Sequence, residues 1–527
     1  MPELEVVRQA AEPPRAATDS AADSATDSAA NSAADSATRP AAPADPSPVQ
    51  PTPPPVVRPG LPLGIVVAIS CVATFMVILD TAIVNVALPA MRAGLGLSTS
   101  AQQWVVDGYL LTFGGLLLLG ARAGDLLGRR AVFQLALVVF TLASLLGGLA
   151  VNGPMLLAAR AAQGIGAAGL APASLSLITA SHHDAARRNR ALAAWSATSA
   201  AAAAVGVVLG GVLTEALGWR WVLFVNVPIG VALCVAGAIT LVGAQAAHRR
   251  TRLDLPGAVT VTLGFGALIY GISQADTSGW GSAGVLAALV AGAVLLAVFA
   301  VIETRTGQPL IRLDIFRLAN LRTANLTMLA LGAAMTGSLF FVSLYLQQLV
   351  GYSALRAGLA MLPMTVMLAA GALSARSLMA AGIRRLPVYG AILAAAGLAW
   401  LTRIPLHPDF ATQVLGPTLV LGAGFSVIVL PVAIAATAGV SHRDAGLASG
   451  LLNMARQIGG AVGLAVLVTV AGSAAAHQHA ASGSAAAAAT LHGYHVGLLV
   501  AAGICVLAGV AASRLHKPAV TPAASSS

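Results

Sequence analysis

The stretch AGVLAALVAGAVLLAVFAVI, residues 283–302, runs for twenty positions without a charged or hydrogen-bonding side chain. At about 1.5 Å of rise per residue, a helix of that length spans roughly 30 Å, the thickness of a bilayer's hydrocarbon core. Thirteen more apolar stretches of similar kind flank it. They lie near 62–88, 103–122, 131–150, 154–180, 191–215, 219–243 and 256–274, and then near 323–349, 355–376, 387–403, 412–437, 445–471 and 491–512. Of the 527 residues, 57% are hydrophobic and only 9% are charged, against about 25% charged in ordinary soluble domains. The runs are continuous rather than alternating, so they read as helices and not as strands of a transmembrane barrel. The expected class is an all-α integral membrane protein.

The charge pattern gives the orientation. The net charge is +10, although residues 1–58 hold eight acids against four arginines. The surplus of bases therefore sits in short loops between apolar runs. That reads as topology rather than as nucleic-acid binding, and no nucleic acid is expected as a partner. With the N-terminus inside, twenty basic residues, from Arg58 to Lys517, fall on the cytoplasmic side. Only Arg92, Arg220, Arg356 and Arg403 fall on the other. Both termini are expected in the cytoplasm of a bacterium, with the chain crossing its plasma membrane many times. Alanine-rich spans and one lysine against 28 arginines suggest a GC-rich bacterial genome.

Residues 1–58 repeat DSAA-like units and end in a proline-rich stretch, the composition of a disordered cytoplasmic tail. Behind it the expected organisation is a six-helix bundle over 59–243, two linking transmembrane helices over 244–322, a second six-helix bundle over 323–512, and a short tail over 513–527. Cys71, Cys234 and Cys505 are far apart inside apolar runs, which suits small buried hydrophobes and no disulfide. The histidine-bearing HQH stretch at 477–479 makes a poor metal site.

Charge within a span costs a few kcal/mol and so marks function. Four such groups stand out as proton-coupling candidates: Asp80 in MVILDTAIVNVALPAM, Asp107 in QQWVVDGYLLTFGG, Arg160 at the head of RAAQGIGAAGLAPAS, and Glu215 near the outer end of the fifth span. A buried arginine needs a carboxylate or carbonyl partner, and an acid in span one or two would serve Arg160. Asn85, Tyr109, Gln163 and Asn226 accompany these groups as candidates to line a substrate cavity. The loop GARAGDLLGRR, 120–130, combines Gly124, Asp125, Gly128, Arg129 and Arg130 in more than a plain basic turn, with Asp125 expected where a helix N-terminus favours negative charge. Gly206, Gly210 and Gly211 form a small-residue face for close helix approach. No nucleotide-binding loop, zinc-protease motif or serine elbow occurs.

Taken together, LDTAIVNVALP (79–89), RAAQGIGAAGLAPAS (160–174), GVVLGG (206–211) with TEALGWRWVLFVNVPIG (214–230), and SGLLNMARQIGGAVG (449–463) resemble the major facilitator superfamily. More narrowly they resemble its fourteen-span drug:proton antiporters of the QacA/EmrB type. Ala121, Leu126 and Val207 depart from the usual motifs. The resemblance implies two six-helix bundles with two extra central helices, around a site near the membrane midplane, and a gating role for the loop at 120–130. It also implies export of a small amphipathic or cationic compound, driven by protons, without cofactor or metal, by a chain expected to work as a monomer. Uptake of a metabolite is the nearest rival; a membrane-embedded enzyme or sensor is a more distant one.

Overall fold

The computed structural model describes residues 64–181, 184–240, 253–307, 309–383, 385–441, 444–478 and 483–515. The expected tails over 1–58 and from 516 onward, and part of the HQH stretch, lie outside the described residues. No strand occurs among the described residues. The apolar runs form α1 (Gly64–Leu95), α2 (Thr99–Leu127), α3 (Arg129–Gly148), α4 (Gly153–Ser181), α5 (Ala185–Ala216), α6 (Trp221–Thr240, interrupted at Val225) and α7 (Leu255–Ser278). They continue as α8 (Ala283–Arg305), α9 (Ala319–Leu344), α10 (Ala354–Ala380), α11 (Leu386–Leu401), α12 (Gly416–Thr437), α13 (Ala445–Ala476) and α14 (Gly483–Ser513). Thirteen of them are long and apolar enough to cross a membrane; α11 is shorter, at 16 residues.

Several helices outrun their apolar stretch. The run near 103–122 becomes a helix over Thr99–Leu127 because its first turn is polar and capped: Ser98 Oγ accepts from the Ala101 amide at 3.1 Å. Hydropathy registers the bilayer, whereas caps and loop-side turns extend past it. A helix satisfies its own backbone groups, which is why these segments can sit in lipid at all.

Helices α1–α6 pack on one another chiefly through α2–α4, α1–α5, α3–α4 and α3–α6. Helices α9–α14 do so through α9–α13, α11–α12, α10–α12 and α11–α14. The two halves meet along α2–α13 and α5–α10, and the α7–α8 hairpin leans against α2 and α13 through α7. Only 11% of the most apolar part of α8 is buried, so α8 packs on α7 and leaves most of its apolar surface uncovered.

Glycine sets the closest approaches. A Cβ on Gly210 would stand 2.9 Å from the Ile83 carbonyl of α1, and one on Gly211 would stand 2.6 Å from Leu355 Cα of α10. At the distal end of the bundle, opposite the start of α1, hydrogen bonds then join the halves. Ser343 Oγ donates to the Asn85 carbonyl (2.9 Å), Gln347 Nε2 to the Val86 carbonyl (3.0 Å), and the Leu355 amide to Glu215 Oε2 (3.1 Å). Gly211→Val should prise this end apart. A cysteine at position 343 should then react several-fold faster with a membrane-impermeant maleimide. Unchanged reactivity would mean that α5 and α10 do not close it.

Candidate functional site

The first half is tied together around one carboxylate. Asp80 of α1 is fully buried, and both of its oxygens are used. Oδ2 accepts from Arg160 Nη1 of α4 at 2.6 Å; Oδ1 accepts from Gln163 Nε2 at 3.0 Å and from Asn226 Nδ2 of α6 at 2.9 Å. Arg160 also donates to Gln163 Oε1 (2.8 Å) and, through Nε, to the Val105 carbonyl of α2 (3.1 Å). Ser144 of α3 accepts from Gln163 and Asn226 at 3.0 and 3.1 Å and donates to the Leu223 carbonyl at 2.8 Å. Five helices therefore share one ion pair, and Tyr109 closes it from α2, its ring 4.4 Å below the Arg160 guanidinium. Asp80, Arg160, Gln163, Asn226 and Tyr109 form this single network. Asn85, one turn beyond Asp80, instead donates to the Thr81 carbonyl (2.8 Å) and lines an apolar cavity with Met335, Met361, Met364 and Phe425.

Asp107 stands apart. It is fully buried, yet it faces α7 rather than Arg160. Gln103 Nε2 donates to its Oδ2 at 2.6 Å and reaches Ser273 Oγ of α7 at 2.9 Å, while Oδ1 has no partner. The arginine expected to serve an acid in span one or two serves span one. Nor is Asp107 wetted by solvent, although it lies near the start of α2. Glu215 is exposed, and its carboxylate meets the positive end of α10 through the Leu355 amide.

The gate candidates sit at the opposite end. Asp125 lies in the last turn of α2, at a helix C-terminus rather than the N-terminus expected from sequence. It is exposed and lies 4.0 Å from Arg129. Gly128 adopts φ +95°, which side-chain-bearing residues rarely adopt, so the α2–α3 turn requires glycine here. Gly124 is buried but has room around it. Arg129 and Arg130 donate to the carbonyls of Ser176 (3.4 Å) and Ala238 (3.0 Å), near the ends of α4 and α6, where helix dipoles favour cations. Helix α5 continues unbroken through Val207, and Gly206 and Gly210 lie against α1.

Some functional candidates escape the sequence. Ser144 is a lone hydroxyl in an apolar run, with no spacing to mark it. Ser273 and Gln103 acquire meaning only because α7 packs on α2. Asp254 and Glu303, at the ends of the hairpin, are both buried around Gly257, and each leaves one oxygen unpartnered. Their other oxygens accept from the Gly257 and Ile311 amides at 2.9 and 3.0 Å. Nearby, Arg312 bridges Asp314 (3.2 Å) and Asp444 (3.4 Å), linking the segment before α9 to the start of α13. Its hydrogen bond holds the exposed Asp314 carboxyl below the usual range.

Comparison with known proteins places this geometry in a family. Residues 70–464 match the model of the Major Facilitator Superfamily. The cephamycin export protein CmcT of Amycolatopsis lactamdurans is 44% identical over 77% of this chain and 84% of its own. The puromycin resistance protein pur8 of Streptomyces alboniger is 39% identical over 85% of this chain and 90% of its own. The nucleoside transporter NupG superposes with a TM-score of 0.58 at 12% identity, over 86% of this chain and all of NupG. A bacterial homologue of the lysosomal transporter Spinster also scores 0.58, at 17% identity, over 86% of this chain and 97% of its own. With fourteen apolar helices in two packed halves and a match over most of its length, this multi-pass membrane protein belongs to the Major Facilitator Superfamily.

Proposed function

We propose that the chain is a proton-coupled exporter of a small amphipathic compound, working by alternating access in the plasma membrane of a bacterium with both termini in the cytoplasm. On this reading the start of α1 faces the cytoplasm, and the distal hydrogen bonds through Asn85, Val86 and Glu215 close the outer side. Energy comes from protons falling through the membrane, about 2.3 kcal/mol for each per 100 mV of potential, and no cofactor or chemical reaction is involved. Relatives named for antibiotic export and resistance support the direction of transport.

The observation that carries the coupling is the contrast between two buried acids. Asp80 has every oxygen engaged and Arg160 as counter-charge, so it acts as the tie that holds the first half together. Among the described residues Asp107 has no cation beside it and leaves one oxygen without a partner, so a proton is the partner left to it. It also occupies a telling place. Ser273 of α7 meets it through Gln103, and the neighbouring Ile272 carbonyl accepts from Thr469 of α13 at 2.9 Å. Rocking of the second half against the first would shift α7 and change the surroundings of Asp107. Charge and carbonyl contacts of Arg129 and Arg130 would meanwhile hold the cytoplasmic ends of α4 and α6.

Expression in an efflux-deficient bacterium should raise resistance to at least one antibiotic in a broad panel severalfold. A protonophore should restore accumulation of that antibiotic. Resistance that survives collapse of the proton gradient would exclude proton coupling, and substrate accumulation in place of resistance would favour the uptake reading.

A further inference from the structure

The export reading leaves the charge of the substrate open, and the second half of the protein bears on it. On α13, Ser449, Asn453 and Arg456 follow at spacings of four and three and so share one helix face. Ser449 and Asn453 are exposed and Arg456 is half-buried, although α13 is flanked by α2, α7, α9, α12 and α14. An exposed polar stripe on an enclosed transmembrane helix lines water rather than lipid. It therefore marks a vestibule entered from the side where α13 begins. Arg456 stands at the head of that stripe, about 17 Å from the helix start at 1.5 Å per residue.

Among the described residues nothing acidic answers it. Its Nη2 donates to Asn453 Oδ1 at 3.2 Å, and among the described residues no carboxylate comes within ion-pair distance. From Ala319 to Ser513 the chain has two acids, Asp409 and Asp444, and each lies just before a helix start rather than within a span. In the first half, Asp80 is consumed by Arg160 and Asp107 is turned toward α7. Among the described residues Arg456 is thus a cation facing the vestibule with no counter-charge in ion-pair reach. Apolar space lies along the neighbouring helix α9. Gly332 of α9 packs on the Arg456 carbonyl, and Met335, one turn on, lines the apolar cavity with Met361, Met364 and Phe425. Methionine and phenylalanine accept apolar bodies of varied shape.

Building on the export reading, we infer that the transported compound is an anionic amphiphile, its carboxylate or sulfonate held by Arg456 and its apolar body by the methionine-lined cavity along α9. Guanidinium matches the geometry of such groups with paired hydrogen bonds. A cationic amphiphile would meet Arg456 as a like charge at mid-depth.

Two xanthene dyes of one scaffold test this, fluorescein as the anion and rhodamine 123 as the cation, each titrated by anisotropy against the purified full chain in lipid nanodiscs. Fluorescein should bind at least tenfold more tightly than rhodamine 123. Arg456→Gln should weaken fluorescein at least tenfold, and Arg456→Lys should recover most of the loss, with both variants eluting as monodisperse protein. Equal or tighter binding of rhodamine 123, no binding of fluorescein, or fluorescein binding unchanged in Arg456→Gln would overturn the inference. Dye uptake into inverted vesicles under an imposed pH gradient is read separately. Arginine-dependent binding without such uptake would leave the anion site standing and sink the exporter.

Discussion

Replacing Arg160 with alanine is expected to cost about 3–5 kcal/mol of stability, the usual penalty for stranding a buried charge, and to remove transport altogether. The loss reaches beyond Asp80. Gln163 Oε1 and the Val105 carbonyl lose their donor, and the Tyr109 ring loses its cation. Because the network joins α1, α2, α3, α4 and α6, the damage should spread across the half instead of staying local. Asp80→Asn should also destabilise, since it leaves Arg160 buried without a counter-charge. A double variant, Asp80→Asn with Arg160→Gln, should be more stable than Arg160→Ala, because no lone charge remains. Thermal unfolding of purified protein checks the series. Equal stability of wild type and Arg160→Ala would show that the ion pair does not hold this half together.

Asp107→Asn is expected to behave in the opposite way. No cation loses its partner, the amide can still bond to Gln103, and stability should change by no more than about 1 kcal/mol. Proton-driven transport should nevertheless fall at least tenfold, while substrate-for-substrate exchange, which needs no net proton movement, persists. A folded but uncoupled protein is the signature of a lost proton site. Coupled transport at the wild-type rate in Asp107→Asn would move the proton elsewhere, with Glu215 the next carboxylate to examine.

Much of the fold is legible in the amino-acid sequence alone. Long uncharged runs such as 283–302 can be little else than spans, and the superfamily follows from the motifs around Asp80, Arg160 and Gly206. Side chains that interrupt an apolar run also announce themselves by their cost, which is why Asp80, Asp107, Arg160, Gln163 and Asn226 can be singled out. What a sequence does not supply is the grouping. Asp80 and Asp107 look equivalent in one dimension, each an acid in an early span, and only the packing of α1 and α2 sets one against Arg160 and the other, through Gln103, beside Ser273. Asp125 falls at the other kind of helix end from the one expected, because a loop motif does not reveal where α2 stops. Arg456 lies in plain view within SGLLNMARQIGGAVG. Its significance depends on a negative fact, the lack of an acid around it, which requires the packing of both halves.

If export is proton-coupled, movement of substrate and movement of protons are one process. Inverted membrane vesicles from cells expressing the chain, energised to an acidic interior, allow it to be read directly with a pH-sensitive dye. Adding a compound to which the protein confers resistance should discharge part of the gradient in the wild type, with the compound accumulating inside. Asp107→Asn vesicles should show neither effect. Accumulation of the compound by the wild type with no change in the gradient, or an equal response in Asp107→Asn, would contradict proton-coupled export through this site.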